Sequence, residues 1–187
     1  SDLATLILPA DAAWTDTGAP LPSPIALPVQ WAPDPVRIAK AVAALRNGKA
    51  TVILATGRAL RAGALEHLQR IATVTGARIL AQQSNARVER GTGRVAIERV
   101  PYPVDLQLAT FAGTEQMILV GAKAPVGFFA YPGKPGSMLP EGCQVLDLAA
   151  PDGDLVAAVE ALAEGVGAGP QIPLVLNGAS RPDAPTG

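Results

Sequence analysis

Two short stretches combine a turn with a cationic side chain in the way a bound phosphate would need. Gly57-Arg58 follows the apolar run Thr51-Val52-Ile53-Leu54-Ala55, and Gly121-Ala122-Lys123 follows Met117-Ile118-Leu119-Val120. A tight turn at the end of a buried strand, opening into a helix, aims backbone N–H groups and the positive helix end at an anion. Arg58, or Arg61 one turn on, could pair with a phosphate, or both could be arginines on a solvated helix start. Lys123 could neutralise a phosphate, or simply end a strand. Gly57, Arg58, Gly121, Ala122 and Lys123 are therefore the candidate nucleotide-binding residues. They do not form a dinucleotide fingerprint, because Gly57 and Gly63 are six apart with no glycine between. The acid that would hold a ribose hydroxyl after the second strand is replaced by Gln82-Gln83.

Other reactive residue types lack partners. The single cysteine, Cys143, and the single histidine, His67, are far apart in sequence, and His67 lies in a helical stretch, so Cys143 reads as a small buried hydrophobe. Asp152-Gly153-Asp154 looks like a metal-binding pair but stands at a helix start, where acids meet the helix dipole favourably. Glu89, Glu98 and Glu115 lie in loops or at an element end, where solvation explains them. Pro132-Gly133-Lys134-Pro135-Gly136 lacks the upstream glycine and following hydroxyl of a phosphate-binding loop. No set of residues here could carry a reaction by itself.

The elements that must position these turns follow from periodicity. Thr51–Ala55 has no polar alternation, as expected of a parallel strand covered on both faces. Further strands are expected at Arg78–Ala81, Met117–Val120 and Gln144–Leu148. Helices are expected from Asp34-Pro35 to Asn47-Gly48, from about Leu60 to Gly76, over Val104–Phe111, and from Pro151-Asp152 to Gly165. Ile38, Val42 and Leu45 give the first helix an apolar stripe, Leu65, Leu68 and Ala72 the second, and Leu155, Val159 and Leu162 the last. Alternating strands and helices predict an α/β, three-layer, Rossmann-like domain with a mostly parallel sheet of five or six strands.

The chain has 187 residues, 49% hydrophobic and 17% charged, with a formal net charge of −1. That balance gives no basic excess for nucleic acid or an anionic membrane. No apolar run approaches the ~20 residues that span a bilayer. Ser1-Asp2 opens without a basic leader, and a lone cysteine suits a reducing compartment, so a cytoplasmic protein is expected. The 18 prolines crowd outside the periodic segments. Leu3–Leu8 reads as a short strand, followed by an extended segment carrying prolines 20, 22, 24, 28 and 33. So long a loop is unusual inside one domain. The expected organisation is a remnant of a preceding domain over residues 1–14, a linker over 15–33, the domain proper over 34–165, and a second linker over 166–187. The apolar cluster Pro173–Leu176 in that last stretch, like Leu3–Leu8, is expected to fold back onto the sheet or to mediate contacts with a second copy.

Several stretches together resemble the central domain of thiamine-diphosphate-dependent enzymes of the acetolactate synthase large-subunit-like group. They are Leu6–Trp14 (LILPADAAW), Ala86–Gly91 (ARVERG), Arg99–Asp105 (RVPYPVD) and Leu119–Pro135 (LVGAKAPVGFFAYPGKP). The resemblance covers essentially the whole chain. It implies a middle domain between a pyrimidine-binding and a pyrophosphate-binding domain, in a parent acting on 2-keto acids by carboligation or decarboxylation. Leu3–Trp14 resembles the exit of the first domain, and Arg181–Gly187 the approach to the third. The resemblance also implies thiamine diphosphate and magnesium in the parent, which is expected to be a homo-oligomer whose catalytic glutamate and metal-binding residues lie in the flanking domains. Neither feature can be placed on this sequence, so the chain alone is expected to hold neither cofactor nor activity. Some members hold FAD through an arginine and an acid after a strand. Gly121-Ala122-Lys123-Ala124-Pro125 has neither, so the resemblance gives no support for FAD, or for ADP, in this chain. A freestanding nucleotide-binding module and a purely structural domain with an empty crevice remain the alternatives.

Overall fold

In a computed structural model the described residues are 5–20, 23–26, 29–129 and 131–178. Five strands form one sheet: β1 (Thr51–Ala55), β2 (Arg78–Ala81), β3 (Glu98–Arg99), β4 (Gln116–Val120) and β5 (Gln144–Ala149). Their order is β3-β2-β1-β4-β5, and every pairing is parallel. The α/β architecture expected from the sequence is therefore present, with β1 and β4 at its centre and every residue of both strands buried.

Successive strand residues supply opposite cores. Ile53, Ala55, Ile118, Val120 and Leu148 face helices α2 (Pro35–Arg46), α3 (Ala62–Thr75) and α5 (Leu155–Val166). Val52, Leu54, Met117 and Leu119 face the other way, onto Phe111 of α4 (Val104–Phe111) and onto Met138. Covering both faces is what lets β1 and β4 be apolar at every position.

Local signals explain several boundaries. The Asp34 carboxylate accepts from the Val36 N–H at 2.8 Å, with Pro35 at the first helical position, so α2 begins where the sequence places it. Gly76 ends α3 in the left-handed conformation. Ala41, Ala44 and Leu45 bury α2, while Ile38 and Val42 pack half-buried beside them.

Five expectations need correction. The start of the chain is not a strand: residues 5–8 pair with nothing among the described residues, and Leu6, Ile7 and Leu8 are exposed, while residues 3 and 4 lie outside them. A short helix α1 (Ala10–Trp14) follows in the stretch expected to be extended, with no buried residue. The polar loop after β2 contains β3, whose two residues join the sheet through backbone bonds and so leave no apolar pattern. The last helix begins after Asp154, not Asp152, because it is the Asp154 carboxylate that accepts from the Ala157 N–H at 3.1 Å. Finally, Gly165 does not stop that helix. It lies within α5, where an added Cβ would come 2.5 Å from Val42 Cγ2, so its hydrogen lets α2 and α5 approach closely. Gly167 ends the helix instead.

The stretch after α5 is fastened down. Gln69 of α3 donates to the Val175 carbonyl at 2.6 Å and accepts from the Val175 N–H at 2.9 Å. Arg94 and Asn177 are joined by a 2.7 Å backbone bond, Val95 bridges to Leu176, and Leu174 packs against the core. Pro173–Leu176 thus folds back onto α3 and the turn before β3, and not onto the sheet as expected. Residues 179–187 lie outside the described residues. No helix among the described residues is long and apolar enough to cross a membrane.

Candidate functional site

The strand order reverses between β1 and β4, so their carboxyl ends part and open a crevice, the usual ligand position of such a sheet. Both candidate turns stand there. The Thr56 N–H donates to the Val120 carbonyl at 3.1 Å, tying the two turns together, and the Gly121 N–H donates to the Ala149 carbonyl at the end of β5 at 2.8 Å.

Their side chains divide between the two faces of the sheet. Gly57 and Gly121 have φ of 59° and 66°, a region L side chains rarely adopt. Leu155, the first residue of α5, fills the space above them. A Cβ on Gly121 would lie 2.6 Å from Leu155 Cδ1, and one on Gly57 3.5 Å away. The glycines therefore admit a packed leucine. Arg58 turns to Gln30, donating to its Oε1 at 3.0 Å. Ala122 is buried in the core under α4. Lys123 lines an open cavity on the α4 side.

That cavity has a volume of about 280 Å³. Its polar lining comes from Gln82, Gln83, Ser84, Gln107 and Lys123, and its apolar lining includes Leu54, Val100 and Phe128. The Gln82 Oε1 accepts from the Lys123 N–H at 3.3 Å. Gln107, only 2% exposed, donates to the Gln83 Oε1 at 3.3 Å and to the Tyr102 carbonyl at 3.0 Å, which fixes the floor. Phe128, which lines the cavity, packs edge to face on Phe129, and Phe129 on Tyr131, with centroids 4.8 and 5.9 Å apart. Lys134 pairs with Asp105 of α4 and pins this loop.

The helix N-termini at this edge are largely closed to anions. Between Gly57 and α3 lies a single 3-10 turn, Gly57–Leu60. The first N–H of α3, on Ala62, is taken by Glu89 Oε2 at 3.0 Å. Arg61 and Arg94 flank that carboxylate at 4.0 and 3.5 Å. Glu89 is thus a distant helix cap and not a solvated loop acid. Glu115 likewise accepts from the Ala50 N–H at 2.8 Å. A second hollow of about 310 Å³ lies between the starts of α2 and α5, and those helices carry their own caps, Asp34 and Asp154. A phosphate would have to displace a carboxylate at three of the four long helices that follow strands or open the domain.

Other reactive groups stay apart. Partial burial pushes the Cys143 thiol up, away from the thiolate a nucleophile needs. The Tyr131 phenol is raised as well, by lost hydration first and then by the neighbouring Tyr102. Among the described residues no cluster of three His, Cys, Asp or Glu could hold a metal ion.

The signals for this arrangement were unequal. Gln82 and Gln83 stood out in the sequence only as a missing acid. Glu89 carried no local sign of its role, because it caps a helix 27 residues earlier.

No protein-family model matches the chain. All 187 residues align, at 42% identity, with the "Putative acetolactate synthase large subunit IlvX" of Mycobacterium tuberculosis (strain ATCC 25618 / H37Rv). The chain spans only 35% of that relative's length. In fold it is similar to the crystal structure of a "putative thiamin diphosphate-dependent enzyme isolated from Mycobacterium smegmatis". That similarity has a TM-score of 0.54 and 23% identity, over 75% of this chain and 29% of the other. The resemblance to acetolactate synthase large-subunit-like proteins therefore holds over the whole sequence, and the three-layer α/β fold is shared with part of that solved structure.

Proposed function

We propose that this chain is the central domain of an acetolactate-synthase-like, thiamine-diphosphate-dependent enzyme acting on 2-keto acids. The observation that carries this reading is the 42% identity over the whole chain to about a third of a protein named as a putative acetolactate synthase large subunit. Residues 34–165 form the domain proper, with 1–14 belonging to a preceding domain and 15–33 and 166–187 leading between domains. The parent's flanking domains hold thiamine diphosphate and magnesium, and the cofactor supplies the electron sink for carbon–carbon chemistry at the 2-keto group. This domain's own part is to space and orient those neighbours, within a homo-oligomer of the cytoplasm.

Two features of the chain support a scaffold role. The central strands are buried throughout. Exposed large hydrophobics such as Leu6, Ile7, Trp14 and Ile25 line the approach to α2, suited to contact with other parts of a longer polypeptide. The crevice at Lys123 is a non-catalytic ligand site in this reading. The test is expression of the full reading frame and assay of acetolactate formation from pyruvate. Activity dependent on added thiamine diphosphate and Mg²⁺ is expected, and a full-length protein that is inert with every 2-keto acid overturns the proposal. For the alternative of a nucleotide-binding module, a thermal-shift screen of this chain with FAD, ADP and NAD decides: a clear rise with one of them favours it.

A further inference from the structure

We infer that the Lys123 crevice takes a small organic monoanion with an apolar body, and not a dinucleotide; this rests on reading that crevice as a ligand site.

Three observations lead there. The first is closure of the places a pyrophosphate would use. Leu155 occupies the space over Gly57 and Gly121, and the Glu89 carboxylate holds the leading N–H of α3. A dinucleotide would need both. The second is size, since about 280 Å³ stands at the lower end of small-molecule cavities. The third is the character of the lining. No carboxylate residue lines the cavity, and its one charged lining residue is Lys123. The Lys123 ammonium has no ion-pair partner among the described residues. The Gln82 carbonyl oxygen is engaged by the Lys123 N–H, which leaves its amide NH₂ free to donate, beside the Ser84 hydroxyl.

A carboxylate has two acceptor oxygens, enough to receive the ammonium and one amide donor together. Behind that polar end the walls are apolar, from Leu54, Val100, Val126 and Phe128. They would desolvate a short branched or aromatic body. A dianionic phosphate would meet a lining with a single cationic residue, a poor match for its charge.

The test is a titration of the ¹⁵N-labelled 187-residue chain followed by NMR. The probes are isovalerate, phenylacetate, acetate, isovaleramide, inorganic phosphate, ADP and FAD. Saturable shifts confined to residues 82–84 and 123–128 are expected with isovalerate and phenylacetate. Acetate, which lacks the apolar body, and isovaleramide, which lacks the charge, should bind at least about tenfold more weakly. Lys123→Met should weaken phenylacetate by about tenfold at an unchanged melting temperature, and Phe128→Ala should weaken phenylacetate but not acetate. Tighter saturable binding of ADP, FAD or inorganic phosphate at these residues overturns the ligand class while leaving a ligand site in place. No saturable shift with any probe overturns the ligand role altogether. Neither result touches the relationship to acetolactate-synthase-like proteins, which the full-length assay tests separately.

Discussion

Above the carboxyl ends of β1 and β4, the flank under α5 is filled and the flank over α4 is hollow. On the filled side two left-handed glycines admit Leu155, and carboxylates cap the helices. On the hollow side the cavity is lined by one lysine, polar residues and apolar walls, with no carboxylate residue among them. The same backbone turn, at Gly121, serves both sides: its missing Cβ makes room for packing, and the lysine two residues later reaches the other face. A glycine after a strand is therefore not by itself a sign of a ligand. What a Cβ there would strike is the informative quantity.

The largest expected effect is on the filled side. Gly121→Ala should cost about 3 kcal/mol, combining a left-handed alanine with overpacking against Leu155. Gly57→Ala, with the same backbone sign but ordinary spacing, should cost about 1 kcal/mol. Urea unfolding of both variants checks the difference. Leu155→Ala should cost roughly 1 kcal/mol less in the Gly121→Ala background than in the parent chain, the coupling expected of two groups in contact. Equal costs for the two glycines would mean that Leu155 does not seal the crevice.

Next comes the cap. Glu89→Ala should lower stability by about 1 kcal/mol, as losing a helix cap does. An unchanged urea midpoint would mean that water serves the Ala62 N–H equally well. The tail clasp is weaker again. Gln69→Ala removes two hydrogen bonds to Val175, for a loss of about 1 kcal/mol or less, and should speed amide exchange selectively over residues 174–177. Uniform exchange would deny the clasp a local role. On the hollow side, Lys123→Met should leave stability within about 0.5 kcal/mol of the parent chain, because the side chain is exposed and unpaired. A large loss there would make Lys123 structural.

What the sequence revealed follows the physics of each element. β1 and β4 were legible because burial on both faces forces an unbroken apolar run. The start of α2 was legible because Asp34 and Pro35 act within three residues of each other. β3 was not, since Glu98 and Arg99 pair by backbone alone. Gly165 misled because a glycine that permits helix contact and a glycine that ends a helix are the same letter. Among the candidate site residues, the chain order showed where Gly57, Arg58, Gly121, Ala122 and Lys123 would gather. It could not show which face of the sheet each would meet, because that depends on Leu155, Gln30 and Gln82, each from a distant segment.

Calorimetric titration of thiamine diphosphate with Mg²⁺ into the 187-residue chain bears most directly on whether the reacting groups belong to neighbouring domains. Heats of dilution alone are expected. A saturable, stoichiometric binding transition would place the cofactor within these residues and contradict the reading of this domain as a scaffold.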